Sequence, residues 1–375
     1  MSLIKWELMK IFKQKSLYFV ALFLFGWFTL VLFTNMHETT ATREVFNEWE
    51  GPITTEKLAA AEKLNAEVNE FFSKENAVNE RKSAEAGLTE TIAMSQNIAS
   101  TIKEREDDLN QLIKKVEANG NHSLAAKLKL QKDMYNEVKI DKISYYKAPQ
   151  EAVDFVNVFG LILTGAFLLI GLCGIYSNEH ASGVENYILS AKKGRKATMQ
   201  AKLMAASIFA VAVVVLWEAF NLISRTAVYG TKGWDLPIQY SFKYFFSPYS
   251  LTFMEYHMIQ IALHILAAIA FAGLIVLVST LSKSTVISFF VSGFLFGTPI
   301  LAQSIMNVET IWVNKMLTLT LTNIMKVEEL FMNFISYNVF GYPVLAPYVG
   351  IAIAVAVLVG AVVLSVVLIE RKQIV

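Results

Sequence analysis

Six long apolar segments constrain the fold of this chain more than any other feature of its sequence. About 20 apolar residues suffice to cross the hydrocarbon core of a bilayer, and residues 16–34 meet that length without a charged side chain. Five later segments are similarly apolar: residues 155–176, 203–223, 257–281, 286–306 and 348–369. Hydrophobic residues make up 54% of the chain and charged residues 17%, which is too apolar for a soluble domain. The sequence predicts an all-α membrane protein with six transmembrane helices.

The apolar segments divide the chain unequally, since one precedes a long charged segment and five follow it. Residues 1–15 mix apolar side chains with lysines and predict a cytoplasmic interfacial elbow helix, with Trp6 at headgroup depth. Transmembrane helix 1 then covers residues 16–34, a helical domain residues 35–152, and spans two to six residues 153–375. No small-x-small cleavage site follows the first span, so we expect a signal anchor.

Basic residues near the span ends predict the orientation, because Lys and Arg resist translocation. They are dense before the first span and between the second and third, at Lys5, Lys10, Lys13, Lys15, Lys192, Lys193, Arg195, Lys196 and Lys202. The loops on the other side hold fewer basic residues over a greater length. We predict a multi-pass protein of the cell membrane, with both termini cytoplasmic and the domain of residues 35–152 extracellular.

The domain of residues 35–152 has the spacing of packed helices. Alternating steps of four and three residues, typical of a coiled-coil seam, connect Leu88, Ile92, Ser95, Ala99, Ile102, Glu106, Leu109, Ile113 and Val116. After Asn119-Gly120-Asn121, which tolerate a left-handed turn, the steps resume at Leu124, Leu128, Gln131, Tyr135, Val138, Lys142 and Tyr145.

This pattern predicts an antiparallel helical hairpin that follows an earlier helix at about residues 55–81 and ends at Pro149. Helices of this length would project roughly 40 Å from the bilayer at about 1.5 Å per residue. Such a domain acts as a spacer or dimerisation stalk, or it captures an extracellular ligand, and the residues favour neither reading.

Polar residues inside the spans are functional candidates, because they are expensive to place in a membrane. The candidates for a substrate pathway are Glu218, Asn221, Gln260, His264 and Gln303. Glu218 either pairs with Arg225, seven residues further along the same helix, or contacts a cation or peptide. For Gln260, His264 and Gln303 we expect hydrogen bonds between helices rather than ligand contacts.

The segment of residues 310–337 is apolar and aromatic but is broken by charged residues, including Lys315, Lys326, Glu328 and Glu329. It therefore predicts short re-entrant or interfacial helices between spans five and six rather than a seventh span.

Enzyme signatures are missing from the sequence. No GxxxxGK[ST] loop is present to cradle the phosphates of ATP, and no HExxH motif is present to bind zinc. Glu328-Glu329 and Phe253 to His257 resemble the EExxxR and FxxxH elements of the CAAX proteases. However, Asn333 replaces the arginine and the two elements occur in reversed order. We expect this chain to have no enzymatic activity.

The loop after the second span, residues 177–202, has the features of a docking helix. A short helix that begins near Glu179 would present an apolar face and then a basic turn. The residues of that face are Val184, Tyr187, Ile188 and Leu189. A surface helix of this kind can dock into a groove on a partner protein.

This loop and the six spans resemble those of the ABC-2 type permeases, the transmembrane subunits of ABC exporters. In that family an acidic residue, a glycine, a hydrophobic stretch, a basic segment and a lysine precede span three. Here these elements are Glu179, Gly183, residues 187–189, residues 192–196 and Lys202. Ser190-Ala191-Lys192 stands where the family often has a proline. The large insertion after span one is similar to the sodium-efflux and peptide-resistance branches and points to a bacterial protein.

The resemblance implies a separate nucleotide-binding ATPase subunit that holds ATP and Mg²⁺ and docks on this loop. The residues that it implies for this coupling are Glu179, Gly183, Glu185, Tyr187, Leu189 and Lys192. It further implies a second permease chain, identical or paralogous, contacts with membrane lipids, no cofactor in this chain and no nucleic-acid partner.

The implied function is export by alternating access, driven by the ATPase subunit. The substrate is an amphipathic or hydrophobic molecule, such as an antimicrobial peptide, a lipid or a drug, or it is sodium. Two alternatives stay open. One is a mechanotransmitting ABC permease, a class with four spans, and the other is a membrane receptor or scaffold that senses an extracellular ligand without transport.

Overall fold

The computed structural model describes residues 3–34, 39–74, 79–190, 194–305 and 311–372. The helices before the second span are α1 (Leu3–Phe12), α2 (Lys15–Thr34), α3 (Thr39–Glu48), α4 (Thr55–Lys74), α5 (Glu80–Ala118) and α6 (His122–Glu137). The later helices are α7 (Lys147–Phe155), α8 (Leu161–Leu172), α9 (Ser177–Ala181), α10 (Val184–Ser190), α11 (Gly194–Tyr229), α12 (Phe253–Leu281), α13 (Thr285–Ile305), α14 (Ile311–Thr318), α15 (Leu321–Lys326), α16 (Glu328–Phe331) and α17 (Ala346–Arg371). Two short antiparallel pairs complete the fold: β1 (Gly51–Pro52) with β2 (Lys142–Ile143), and β3 (Ser336–Val339) with β4 (Tyr342–Leu345).

Six helical segments in the described residues are long and apolar enough to cross a membrane, which confirms the predicted number of spans. They are Lys15–Leu32, Lys147–Ala181, Gly194–Tyr229, Phe253–Leu281, Thr285–Gln303 and Ala346–Arg371. Several extend beyond the predicted limits, such as the second, which covers Lys147–Ala181. The chain is therefore a multi-pass α-helical membrane protein.

The spans differ in how deeply they are buried within the bundle. Within one apolar 18-residue stretch of each span, 61%, 50% and 56% of the residues are buried in the second, third and fourth spans, against 17% in the first, fifth and sixth. Helix α12 packs against α11, α17 and α15, and Trp217 of α11 is fully buried in this core. Spans two to four thus form the centre of the bundle.

The segment between the first two spans forms a small helical domain, but its helix boundaries differ from the prediction. Helix α4 ends at Lys74, so the predicted helix of residues 55–81 was too long. Arg81 belongs to α5, because the side chain of Asn79 accepts a hydrogen bond from the backbone N–H of Lys82 and caps a new helix there. Helices α5 and α6 form a hairpin around Gly120, whose φ of 72° places it in the left-handed region.

The second arm of this hairpin is shorter than predicted. Helix α6 ends at Glu137, and the chain then runs extended so that β2 pairs with β1. The prediction that a helix ends at Pro149 was wrong. Pro149 lies in the first turn of α7. Proline is tolerated there because the first N–H groups of a helix have no intrahelical partner.

The hairpin contacts the bundle at both of its ends. At its tip, Asn338 Nδ2 donates to Ser123 Oγ at 2.8 Å. At its base, the Tyr135 hydroxyl donates to the carbonyl of Phe246 at 3.0 Å. Contacts at both ends anchor the hairpin to loops that lead into spans.

The connection between the fifth and sixth spans contains the short helices α14, α15 and α16. Ile324 and Met325 of α15 are fully buried, and α15 packs against α12. The β3–β4 hairpin that follows was not predicted from the sequence. Its register pairs Ser336 with Leu345 and Val339 with Tyr342.

Candidate functional site

A buried charge cluster joins α1, the loop after the second span and the start of α11. Lys202 is fully buried, and its Nζ lies 2.9 Å from Glu7 Oε2 and 2.7 Å from Glu179 Oε1. The same ammonium donates to the carbonyl of Ile175 at 2.8 Å. A buried ion is tolerated only when its hydrogen-bonding capacity is met, and here three elements combine to meet it.

Lys10 extends this cluster toward the surface. Its Nζ lies 3.0 Å from Glu7 Oε1 and 2.8 Å from Glu179 Oε1. Burial disfavours the charged form of Lys10, but hydrogen bonds to Glu179 and Glu7 outweigh burial and raise the pKa of Lys10 above its ordinary value. Two lysines and two glutamates therefore form a charge-balanced group at this end of the bundle.

A second group of contacts surrounds Glu185 in α10. The Tyr176 hydroxyl donates to Glu185 at 2.6 Å, and His180 and Lys372 also pair with this carboxyl. Burial disfavours the charged form of Glu185, but hydrogen bonds from Lys372, Tyr176 and His180 outweigh it and lower the pKa of the carboxyl. The end of α17 is thereby attached to α10.

Arg195 strengthens this attachment. It donates to the carbonyl of Leu189 at 3.1 Å and to the carbonyl of Glu370 at 3.0 Å. The end of α17, the start of α11 and helix α10 thus meet at one place. Because Lys10 and Lys372 both contact the loop after the second span, the described amino-terminal and carboxyl-terminal residues lie at the same end of the bundle.

The residues proposed for coupling differ in their access to a partner. Glu179, Glu185 and Leu189 are buried within this chain. Gly183 adopts a φ of 74°, a conformation that glycine takes without strain. Tyr187 is 79% exposed, and Lys192 lies outside the described residues. The exposed apolar side chains of α10 are therefore Tyr187 and Val184, which is 44% exposed, and they lie beside the exposed polar residues Asn186 and Ser190.

A polar network connects the second, third and fourth spans. Glu218 Oε1 lies 2.7 Å from His257 Nε2, and His257 Nδ1 lies 3.3 Å from Gln260 Oε1. Gln260 Nε2 donates to Asn157 Oδ1 at 2.7 Å, and Asn157 Nδ2 donates to the Tyr244 hydroxyl at 3.2 Å. We call these five residues the inter-span network.

The backbone of the second span is irregular where this network crosses it. Val156–Gly160 form a π-helical turn between α7 and α8, and Asn157 is the member of this turn that enters the network. Turns of this kind are rare and occur frequently at functional sites. Within this turn the Asn157 side chain contacts both Gln260 and Tyr244.

The predicted pair of Glu218 with Arg225 was wrong. Glu218 contacts His257 and accepts a hydrogen bond from Asn221 Nδ2 at 3.2 Å. The guanidinium of Arg225 lies over the ring of Phe155, 5.4 Å from its centroid. Glu218 of α11 therefore pairs with a residue of α12 rather than with Arg225 of its own helix, because a ring nitrogen of His257 lies next to the carboxylate.

The remaining predicted pathway residues separate into two groups. Gln260 belongs to the inter-span network and Asn221 contacts it through Glu218, whereas His264 Nε2 bonds to the hydroxyl of Thr164 at 2.8 Å. The ring of His264 also packs edge-on against Trp217. Gln303 lies on α13, and the helices that build the network are others.

Sequence reasoning missed Glu7, Asn157, Tyr244 and His257 as members of these sites. Asn157 carried a usable signal, because a polar side chain in an apolar span requires an explanation. Glu7 carried none, since acidic residues are common in interfacial helices. Among the described residues, no group of three or more histidine, cysteine, aspartate or glutamate side chains is placed to hold a metal ion.

Comparisons with protein-family models, with characterised proteins and with solved structures found no match for this chain.

Proposed function

We propose that this chain is the transmembrane permease subunit of an ATP-driven ABC exporter. The observation that carries the proposal is the arrangement of α10, which turns Tyr187 and Val184 outward while its inner side is held by ionic contacts. A small apolar surface of this kind fits a groove on a cytoplasmic partner. The sequence contains no phosphate-binding loop, so ATP and Mg²⁺ would belong to that partner.

The buried charge cluster supports this function because it would transmit movement of α10 to the spans. Glu179 precedes α10 by a few residues and is joined through Lys202 to α11 and through Lys10 to α1. A displacement of the loop by an ATPase would therefore shift the third span and the amino-terminal helix together. Alternating access of the bundle would follow from such a rigid-body movement.

The proposed orientation places both termini and α10 in the cytoplasm and the α3–α6 domain outside a bacterial cell. The excess of lysine and arginine at the α1 and α10 end supports this orientation. A second permease chain, identical or paralogous, would complete the pathway. The substrate class proposed is an amphipathic or hydrophobic molecule, such as a peptide, lipid or drug, or alternatively sodium.

Co-purification tests the proposal. The full chain would be expressed with its native neighbouring genes, extracted in detergent and scored for an associated ATPase. We expect an ATPase to accompany the unaltered chain and to be lost in Tyr187→Asp, because a charge would occupy the apolar docking face. Phe242→Asp is the matched control, since Phe242 is 84% exposed and lies in a different loop.

The six spans argue against the mechanotransmitting class, which has four. A receptor or scaffold without transport is the remaining alternative. It would be favoured if no ATPase accompanied any of these proteins, and the docking face on α10 would be refuted if Tyr187→Asp retained the ATPase as well as the control does.

A further inference from the structure

The turn of the β3–β4 hairpin holds an aromatic side chain that the rest of the described chain does not cover. Val339 pairs with Tyr342, so the turn consists of Phe340 and Gly341. Phe340 is 98% exposed, and its φ of 50° lies in the left-handed region, which bulky residues rarely adopt. Two-residue turns of this kind favour asparagine, aspartate or glycine instead. A phenylalanine here gains little from its own chain, which indicates a contact outside it.

The exposed apolar surface extends from this turn to α14. Four apolar side chains of α14 and the β3–β4 hairpin are at least 75% exposed: Trp312, Met316, Phe340 and Tyr342. Tyr337 of β3 joins the two elements, because its hydroxyl donates to the carbonyl of Lys315 at 2.7 Å. We call the four side chains the apolar surface. Exposed apolar surfaces of this kind mark sites of contact with proteins or membranes.

The β3–β4 hairpin is continuous with the sixth span. Strand β4 ends at Leu345 and α17 begins at Ala346, and residues 330–369 contain no charged side chain. Four strand residues cover roughly 14 Å at about 3.4 Å per residue, so the turn stays close to the start of the span. Aromatic side chains beside a span are typical of the interface between membrane and water. The position of the apolar surface therefore favours lipid as its partner.

Two lysines beside the apolar surface form no ion pair with the described residues. The ammonium of Lys315 lies 5.7 Å from the ring centroid of Trp312 and 5.9 Å from that of Tyr337. Lys127 of α6 is close enough that the charge of Lys315, together with burial, lowers the pKa of Lys127. Two neighbouring ammonium groups fit the phosphates of lipids. A second copy of this chain in a symmetric contact would instead add two more lysines.

We propose that α14 and the β3–β4 hairpin bind the lipid interface on the side of the α3–α6 domain, with Phe340 inserted below the phosphates and Lys127 and Lys315 beside them. This assignment does not depend on the transport proposal. Asn338 of β3 bonds to Ser123 of α6 at 2.8 Å. Lipid contact of the β3–β4 hairpin would therefore also hold the tip of the α5–α6 hairpin near the membrane surface.

Spin-label accessibility of the full chain in lipid nanodiscs tests the proposal. Cys173 is the single cysteine of the sequence and is buried, so Cys173→Ser provides a background for one nitroxide label. Oxygen concentrates in lipid, whereas a nickel chelate stays in water. A label on Phe340→Cys should therefore collide mainly with oxygen. Phe72→Cys is the matched control and should collide mainly with nickel, because Phe72 is an exposed phenylalanine of α4 with Glu70 and Lys74 beside it.

The two lysines are tested with the same label. Lys127→Gln combined with Lys315→Gln should lower the ratio of oxygen to nickel collisions at position 340 several-fold, since the hairpin loses its contacts with the phosphates. Lys63→Gln combined with Lys103→Gln is the control, because it removes two exposed lysines from α4 and α5. We expect the control to leave the ratio unchanged.

The labelled proteins should elute like the unaltered chain, because the exposed Phe340 side chain makes few contacts. The proposal is overturned if nickel reaches the label at position 340 as freely as the label at position 72, which would place the turn in water. It is also overturned if neither reagent reaches position 340, and dipolar coupling between labels would then identify a second copy as the partner. An equal change of the ratio in both lysine pairs would refute the phosphate contact.

Discussion

Replacement of Lys202 by methionine tests the buried charge cluster directly. Lys202 is a fully buried cation that contacts Glu7 and Glu179, so Lys202→Met leaves two carboxylates facing an apolar side chain. Removal of one member of a buried ion pair destabilises a protein by about 3–5 kcal/mol, because the remaining charge is uncompensated. Lys10 still reaches both carboxylates and offsets part of the loss. We therefore expect the free energy of unfolding to fall by about 3 kcal/mol, the lower end of that range.

Lys10→Met is the matched control, because it removes a cation from the same two carboxylates. The Lys10 side chain is 54% exposed, and ion pairs of exposed groups contribute about 0–1 kcal/mol. We expect Lys10→Met to lower the free energy of unfolding by less than about 1 kcal/mol. Adding Glu179→Gln to Lys202→Met should restore part of the stability, since it removes one of the stranded charges.

Reversible denaturant unfolding of the purified full chain in detergent, followed by tryptophan emission, measures all of these differences. Equal losses in Lys202→Met and Lys10→Met would show that burial does not set the strength of the cluster. A further loss on adding Glu179→Gln would show that the carboxylate is stabilised by groups other than the two lysines. Either result would refute the reasoning.

Two further predictions concern the attachment of the α3–α6 domain to the bundle. Gly233 has a φ of 85°, and a Cβ there would lie 2.5 Å from the carbonyl oxygen of Tyr145. Gly233→Ala should therefore cost more than about 1 kcal/mol and speed proteolysis of the domain, whereas Gly297→Ala, with nothing within 4 Å, should not. The hydrogen bond from Lys232 lowers the pKa of Glu50 below its ordinary value of 4.5, so this contact stabilises the fold above that pH and is lost as pH falls through the lowered value. The melting temperature of Glu50→Gln should fall less on acidification than that of the unaltered chain, and an equal fall in both would contradict this assignment.

The sequence by itself was sufficient for the features that depend on neighbouring residues. The six spans were predictable because the thickness of the bilayer sets the length of an apolar helix. The turn at Gly120 was predictable because few residues adopt a left-handed conformation without strain. The outward position of Tyr187 also followed from helical periodicity. Each of these properties is determined within about 20 residues of chain, which is the scale on which a span is formed.

Tertiary structure alone decided which charged and polar residues meet. Glu218 lies closer in sequence to Arg225 than to His257, yet it pairs with His257. Glu179 was predicted to couple to a partner subunit, but it forms ion pairs with Lys202 and Lys10 inside this chain. The α5–α6 hairpin is attached to the bundle because distant loops bond to its tip and its base. A carboxylate pairs with whichever donor the packing of helices brings within about 3 Å, and that choice depends on residues far apart in the chain.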